Sequence, residues 1–135
     1  MATYTSGPVD GNQSFKPFPD GNLGIRYAKF TATTALALND VVQMVDVFAG
    51  ETVHDIKIKT ADLDTGTALV LDVGDGSDTD YYIDGSTIGQ AGGSDEQDAN
   101  VAPKVYSADD TIDVLVQVAP GGGGTGDIEN WVTVS

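Results

Sequence analysis

Apolar and polar residues alternate along most of this chain with a period of two, the pattern of strands that bury one face. Leu69, Leu71 and Val73 alternate with Val70 and Asp72, which predicts a strand ending near Gly74. Gly74-Asp75-Gly76-Ser77-Asp78-Thr79-Asp80 then supplies residues that tolerate positive φ or bond to their own backbone. Tyr81-Tyr82-Ile83 reads as the return strand. Residues 67–84 are therefore expected to form a β-hairpin with an acidic loop.

The alternation recurs on both sides of this hairpin. Leu23, Ile25 and Tyr27 alternate with Gly24, Arg26 and Ala28, and β-favouring residues continue through Thr34. Asn39-Asp40 punctuates the chain before a strand over 41–48, and Ala49-Gly50-Glu51 turns into another over 52–59. In the latter, Ile56 and Ile58 face one way, Lys57 and Lys59 the other. Leu36, Leu38, Val42 and Val45 can also be laid on a helix, but the β-branched content and the Asn-Asp break favour a strand. A short strand is expected at 104–107. A long one follows at 111–119, with Ile112, Val114, Val116 and Val118 on one face. The closing strand, 128–134, sets Ile128, Asn130, Val132 and Val134 against Glu129, Trp131 and Thr133. About eight short strands with short links and no helical period point to an all-β fold, an antiparallel β-sandwich of jelly-roll-like type.

Two stretches break the pattern. Residues 1–22 are rich in Pro, Gly, Asn and Asp, and Phe15-Lys16-Pro17-Phe18-Pro19 suits neither a helix nor a central strand. This predicts an extended N-terminal arm ahead of one sandwich domain over 23–135. The arm's aromatic residues, Tyr4, Phe15 and Phe18, either fold back over the domain's own core or insert into a neighbouring subunit. Residues 85–103 are polar and glycine-rich, and read as a second acidic loop without regular structure.

Charge narrows the partners. With 21 acidic against six basic residues the formal net charge is −15, a field that repels nucleic acid and anionic membranes. Cysteine is absent, so no disulfide framework or thiolate chemistry is available. No stretch has the apolar length of a membrane span, and the N-terminus lacks the basic and apolar regions of a secretory signal.

Candidate chemistry is thin. Asp72, Asp75, Asp78 and Asp80 could hold calcium in an irregular site, because hard cations accept oxygen ligands flexibly. Specific motifs fail, however. Gly74-x-Gly76-x-Asp78 is a single partial copy of a calcium repeat that works by stacking. An EF-hand loop started at Asp78 meets Tyr82 at its third ligand position. The simpler reading is a turn that its aspartates cap and solvate. His54, the only histidine, sits in a strand without a nucleophile motif to serve. Gly121 to Gly124 lacks the lysine of a phosphate-binding loop and reads as a flexible connector. The sequence thus reads as a structural or binding module without a cofactor, not an enzyme. A calcium- or glycan-binding module, with Trp131 or Tyr81 and Tyr82 as a stacking platform, is the second reading.

The segment LDVGDGSDTDYY at 71–82, with ETVHDIKIKT at 51–60 and TIDVLVQVA at 111–119, resembles the small capsid decoration, or cement, proteins of tailed bacteriophages. The resemblance spans about residues 23–134. It implies a β-sandwich, often jelly-roll-like, that sits as a homo-oligomer, dimer or trimer, on the outer capsid surface of the virion. There it would clamp neighbouring major capsid protein subunits against internal DNA pressure. Such proteins act through interface area, so no residue carries over by identity. On this view Tyr4, Phe15, Lys16, Phe18 and Trp131 are the candidates to meet the capsid or sister copies. Neck, tail or fibre components are alternatives of similar build.

Overall fold

The structure, a computed structural model, describes residues 2–6 and 23–135. Phe15, Lys16 and Phe18 lie outside the described residues. Ten strands are formed among those described: β1 (Thr3–Thr5), β2 (Gly24–Ala32), β3 (Val41–Val47), β4 (Thr52–Thr60), β5 (Val70–Gly74), β6 (Ile83–Ser86), β7 (Gly93–Glu96), β8 (Lys104–Val105), β9 (Asp110–Val118) and β10 (Gly126–Val134). They make two sheets, one ordered β1-β3-β9-β5-β6 and the other β2-β10-β4-β7, with β8 paired to β4.

The pairing is nested. β2 pairs with β10, β3 with β9, β4 with β7 and β5 with β6, all antiparallel. The β5–β6 hairpin is thus the innermost turn of this nest, and the β4–β7, β3–β9 and β2–β10 pairs enclose it in sequence. Val42, Met44, Val73 and Val114 of one sheet and Ile56, Ile58, Ile128 and Val132 of the other are fully buried in one shared core. Burying each such side chain contributes about 1.5–3 kcal/mol, so the core carries the fold.

Four expectations change. Part of the predicted arm is in the sheet: β1 runs parallel to β3 over Thr3–Thr5, and the hydroxyl of Ser6, the next residue, donates to the Met44 carbonyl. The second acidic loop is not structureless, because it contains a 3-10 turn at Ile88–Gln90 and β7. β7 reads polar because it is an edge strand, with Glu96 opposite Lys57 and Ser94 opposite Lys59. The return strand of the hairpin starts at Ile83, two residues later than expected, since Tyr81 and Tyr82 are used inside the loop. Asp72 is buried, because β5 is flanked by β9 on one side and β6 on the other.

The alternation of β2 is real, but it carries apolar residues on both faces: Ala28, Phe30 and Ala32 face the core, Ile25 and Tyr27 face outward. Ala28 and Arg26 are buried toward the core, while Leu23, Ile25 and Tyr27 are 64%, 66% and 39% exposed.

Candidate functional site

The hairpin loop is built around a buried carboxylate. Asp75 accepts hydrogen bonds from the backbone N–H and hydroxyl of Ser77 and from the N–H of Asp78, all at 2.9 Å. These are the local turn bonds that its sequence position invites. Its other oxygen accepts from Lys104 Nζ at 2.6 Å and from the Tyr106 hydroxyl at 2.7 Å. Tyr106 in turn meets the Tyr82 hydroxyl at 2.7 Å. Burial alone would raise the Asp75 carboxyl, but Lys104, Tyr106 and Ser77 outweigh it and hold it at about 2. Both phenols are pushed above the usual tyrosine range, first by burial. The ammonium of Lys104 also lies over the rings of Tyr81 and Tyr106, at 4.8 and 5.2 Å. The result is a closed ion pair with both oxygens of Asp75 committed, which fixes the loop.

Asp75 is therefore not available to the four-aspartate cation site the sequence suggested. Asp72 and Asp80 do meet, but with Asp84 from β6 in place of Asp75 and Asp78, their carboxylate oxygens lying within 4.8 Å of one another. Asp72 takes one hydrogen bond from the Gly85 N–H at 2.9 Å. Burial first, and the charge of Asp84 after it, raise the Asp72 carboxyl. Asp80 is raised by its hydrogen bond to Asp78 and by the surrounding carboxylates. Asp84 was the member missed in the sequence. It lies in β6, which pairs with β5.

The proposed aromatic platform is divided. Tyr82 is buried in the core and Tyr81 packs edge-on against it at 4.8 Å. Trp131 belongs to the other sheet, where it tilts against Tyr27 with ring centres 5.2 Å apart. Tyr4 packs on Phe30 of its own sandwich at 5.3 Å. His54 pairs through Nε2 with the Ser135 hydroxyl at 2.9 Å, which ties β4 to the C-terminal residue.

Two structural devices escaped sequence reading. Asp64 accepts backbone N–H groups from Gly66, Ala68, Leu69 and Gly122 at 2.7–2.9 Å, joining the β4–β5 connection to the glycine run after β9. Burial opposes its charge, but these four donors prevail and hold it well below the usual carboxylate range. The glycine run is thereby anchored, not a free connector. Its signal in the sequence is the turn-forming Asp62-Leu63-Asp64-Thr65-Gly66. The second device is a buried pair between Arg26 and Glu51, in which both terminal nitrogens of the guanidinium reach the carboxylate.

No protein-family model matches this sequence, and no curated protein sequence does either. Solved structures do match its fold. A chain in the capsid of Ralstonia phage GP4 superposes with a TM-score of 0.81 at 22% identity, over 98% of this chain and 96% of that one. A chain of the cyanophage Pam1 capsid asymmetric unit gives 0.76 at 22% identity, over 90% of each. A chain in the acid-stable capsid structure of Helicobacter pylori bacteriophage KHP30 gives 0.59 at 10% identity, over 84% of this chain and 87% of that one. At these identities the likeness is one of fold, and it extends over nearly the whole of the described sandwich.

Proposed function

We propose that this chain is a non-enzymatic virion structural protein that decorates the outer surface of a tailed-phage capsid. In this reading it acts as a homo-oligomer and bridges major capsid protein subunits. The observation that carries it is the near end-to-end likeness to a chain of the phage GP4 capsid, supported by that to the Pam1 capsid. The nested strand pairing, read as a jelly roll, fits the same role. So do the uses found for the polar groups: Asp75, Asp64 and His54 are each engaged in holding the fold. A module of this kind binds through area and shape, and needs stable loops more than reactive groups.

The test is binding to particles. Purified protein is added to shells of the major capsid protein of the phage that encodes it, prepared without accessory proteins. Saturable co-sedimentation, with protein density on the outer surface and a higher temperature of shell disruption, is expected. Shells that neither take up the protein nor gain heat resistance would overturn the reading. Labelling of intact virions that finds the protein only at a neck or tail would reassign it to another part of the virion.

A further inference from the structure

The outward face of the β2–β10–β4–β7 sheet differs from the rest of this acidic molecule. Its grid follows from the register: Ile25 lies beside Thr133 and Tyr27 beside Trp131 on β10, with Asp55 and Lys57 next along on β4. Leu23 and Ile25 stand about two-thirds exposed. Beside them a shallow depression is lined by Ile25, Trp131, Thr133, Asp55 and Lys57. A strand that turns Ile25 and Tyr27 to water while it buries an arginine breaks the usual pattern, and such breaks concentrate at functional surfaces.

Charge says what fits there. Lys29, Lys57 and Lys59, three of the chain's six basic residues, sit on this face. They are interleaved with only four of its 21 carboxylates, Asp55, Glu96, Asp127 and Glu129. The charges answer one another locally: Lys59 Nζ is 3.9 Å from Glu129, Lys57 is opposite Glu96 and Lys29 is opposite Glu129. The Tyr27 hydroxyl also donates to Glu129, at 2.6 Å. In a chain of net charge −15 this is a nearly neutral, partly apolar surface. Two copies meeting elsewhere would press carboxylates together, whereas here the repulsion is least. The projecting Leu23 and Ile25 next to a depression also make the face self-complementary, as a two-fold contact requires.

We propose that two copies of this chain associate through this face, each placing Leu23 and Ile25 against the Trp131 depression of the other. This names the self-contact surface within the oligomeric reading above and rests on it. The interface is apolar and neutral, while the two molecules as wholes repel. The dimer therefore tightens as salt screens the long-range field, opposite to an interface held by ion pairs.

Sedimentation of the full-length chain tests this. The expected result is a dimer whose Kd falls several-fold between about 50 mM and about 500 mM NaCl. The double variant Leu23→Ser/Ile25→Thr should raise Kd about tenfold or more with an unchanged circular dichroism spectrum. Trp131→Ala should act in the same direction, while Leu38→Ser, at an exposed position on the β2–β3 connection, should leave Kd unchanged. A chain that stays monomeric at about 100 μM in both salts would overturn the proposal, assigning the face to the shell or to residues 7–22. So would a trimer, a dimer indifferent to the double variant, or one that weakens with salt. Shell binding separates the two readings. A dimer that ignores shells keeps the pairing and removes the capsid role, while a monomer that binds them does the reverse.

Discussion

Arg26 grips Glu51 with both ends of its guanidinium on the core-facing side of β2, which also carries the buried Ala28 and Ala32. Nη1 also donates to the Asp46 carbonyl at 3.0 Å, and the guanidinium lies 5.3 Å over the Phe48 ring. Glu51 accepts in addition from the Phe48 N–H at 2.7 Å. Reversing β2 would expel this network together with Ala28, Phe30 and Ala32, and bury Ile25 and Tyr27 in their place.

Arg26→Ala is expected to destabilise the fold by about 3–5 kcal/mol, because Glu51 is left buried without its cation. Glu51→Ala should cost a similar amount. The double variant Arg26→Met/Glu51→Leu should cost far less than the sum, since neither charge is stranded. Urea denaturation measures all three. Strict additivity would mean that the residues do not act as a pair.

Tyr106→Phe removes a donor to Asp75 and a partner of Tyr82, and is expected to cost about 1–3 kcal/mol. The Asp75 carboxyl is held at about 2 in the folded state against 3.8 for an ordinary aspartate. Its stabilisation is present above 3.8 and is lost as pH falls toward 2, about 2 kcal/mol in all. Asp75→Asn should therefore be less stable than the parent at pH 6 and converge on it as the pH falls to about 2. Thermal melts across that range follow the convergence, and a constant gap between the two proteins would argue against it.

Asp113 works in the opposite sense. Burial first, then the charges of Asp110 and Asp75, push its carboxyl up to about 6 against the opposing Thr111 hydroxyl bond. The native state keeps a proton that the unfolded chain releases near 3.8. The stability tied to that proton is complete below 3.8 and lost as pH rises through about 6. Asp113→Asn should raise stability at pH 7 by about 2 kcal/mol and change little at pH 4. Parallel curves for parent and variant between pH 4 and 7 would refute the assignment.

How much of this was legible depends on what each residue signals locally. β4, β9 and β10 were readable because each puts buried aliphatic residues on one face. β1 and β7 were not, since three or four polar residues at a sheet edge gain their strand conformation from a neighbour and need no alternation. The period of β2 was legible but its facing was not: a period of two marks two sides without saying which is inside. The aspartates of the hairpin were found by composition. Their division into a closed Asp75–Lys104–Tyr106 set and an Asp72–Asp80–Asp84 group depends on contacts across the fold, including one between residues 29 positions apart.

Two glycines of the hairpin test how rigid that innermost turn is. A Cβ on Gly74 would fall 2.1 Å from the Asp78 carbonyl oxygen and 2.4 Å from the Thr79 carbonyl carbon. Those atoms are backbone, pinned by the Asp75 N–H to Asp78 and the Tyr82 N–H to Val73, both at 2.9 Å. Neither can give way without opening the loop. Gly85 is different: its φ is +83°, and a Cβ there meets only Val70, at 3.9 Å. Gly74→Ala should thus cost about 3–5 kcal/mol through displaced backbone, and Gly85→Ala about 1–2 kcal/mol through conformational strain alone. Because Gly74 abuts Asp75, its variant should also erase the acid-side loss of stability assigned to Asp75, whereas the Gly85 variant should retain it. Urea titrations at pH 6 and pH 3 measure both effects. Equal costs for the two substitutions would mean that the loop yields, and that the close approach at Gly74 does not hold the hairpin.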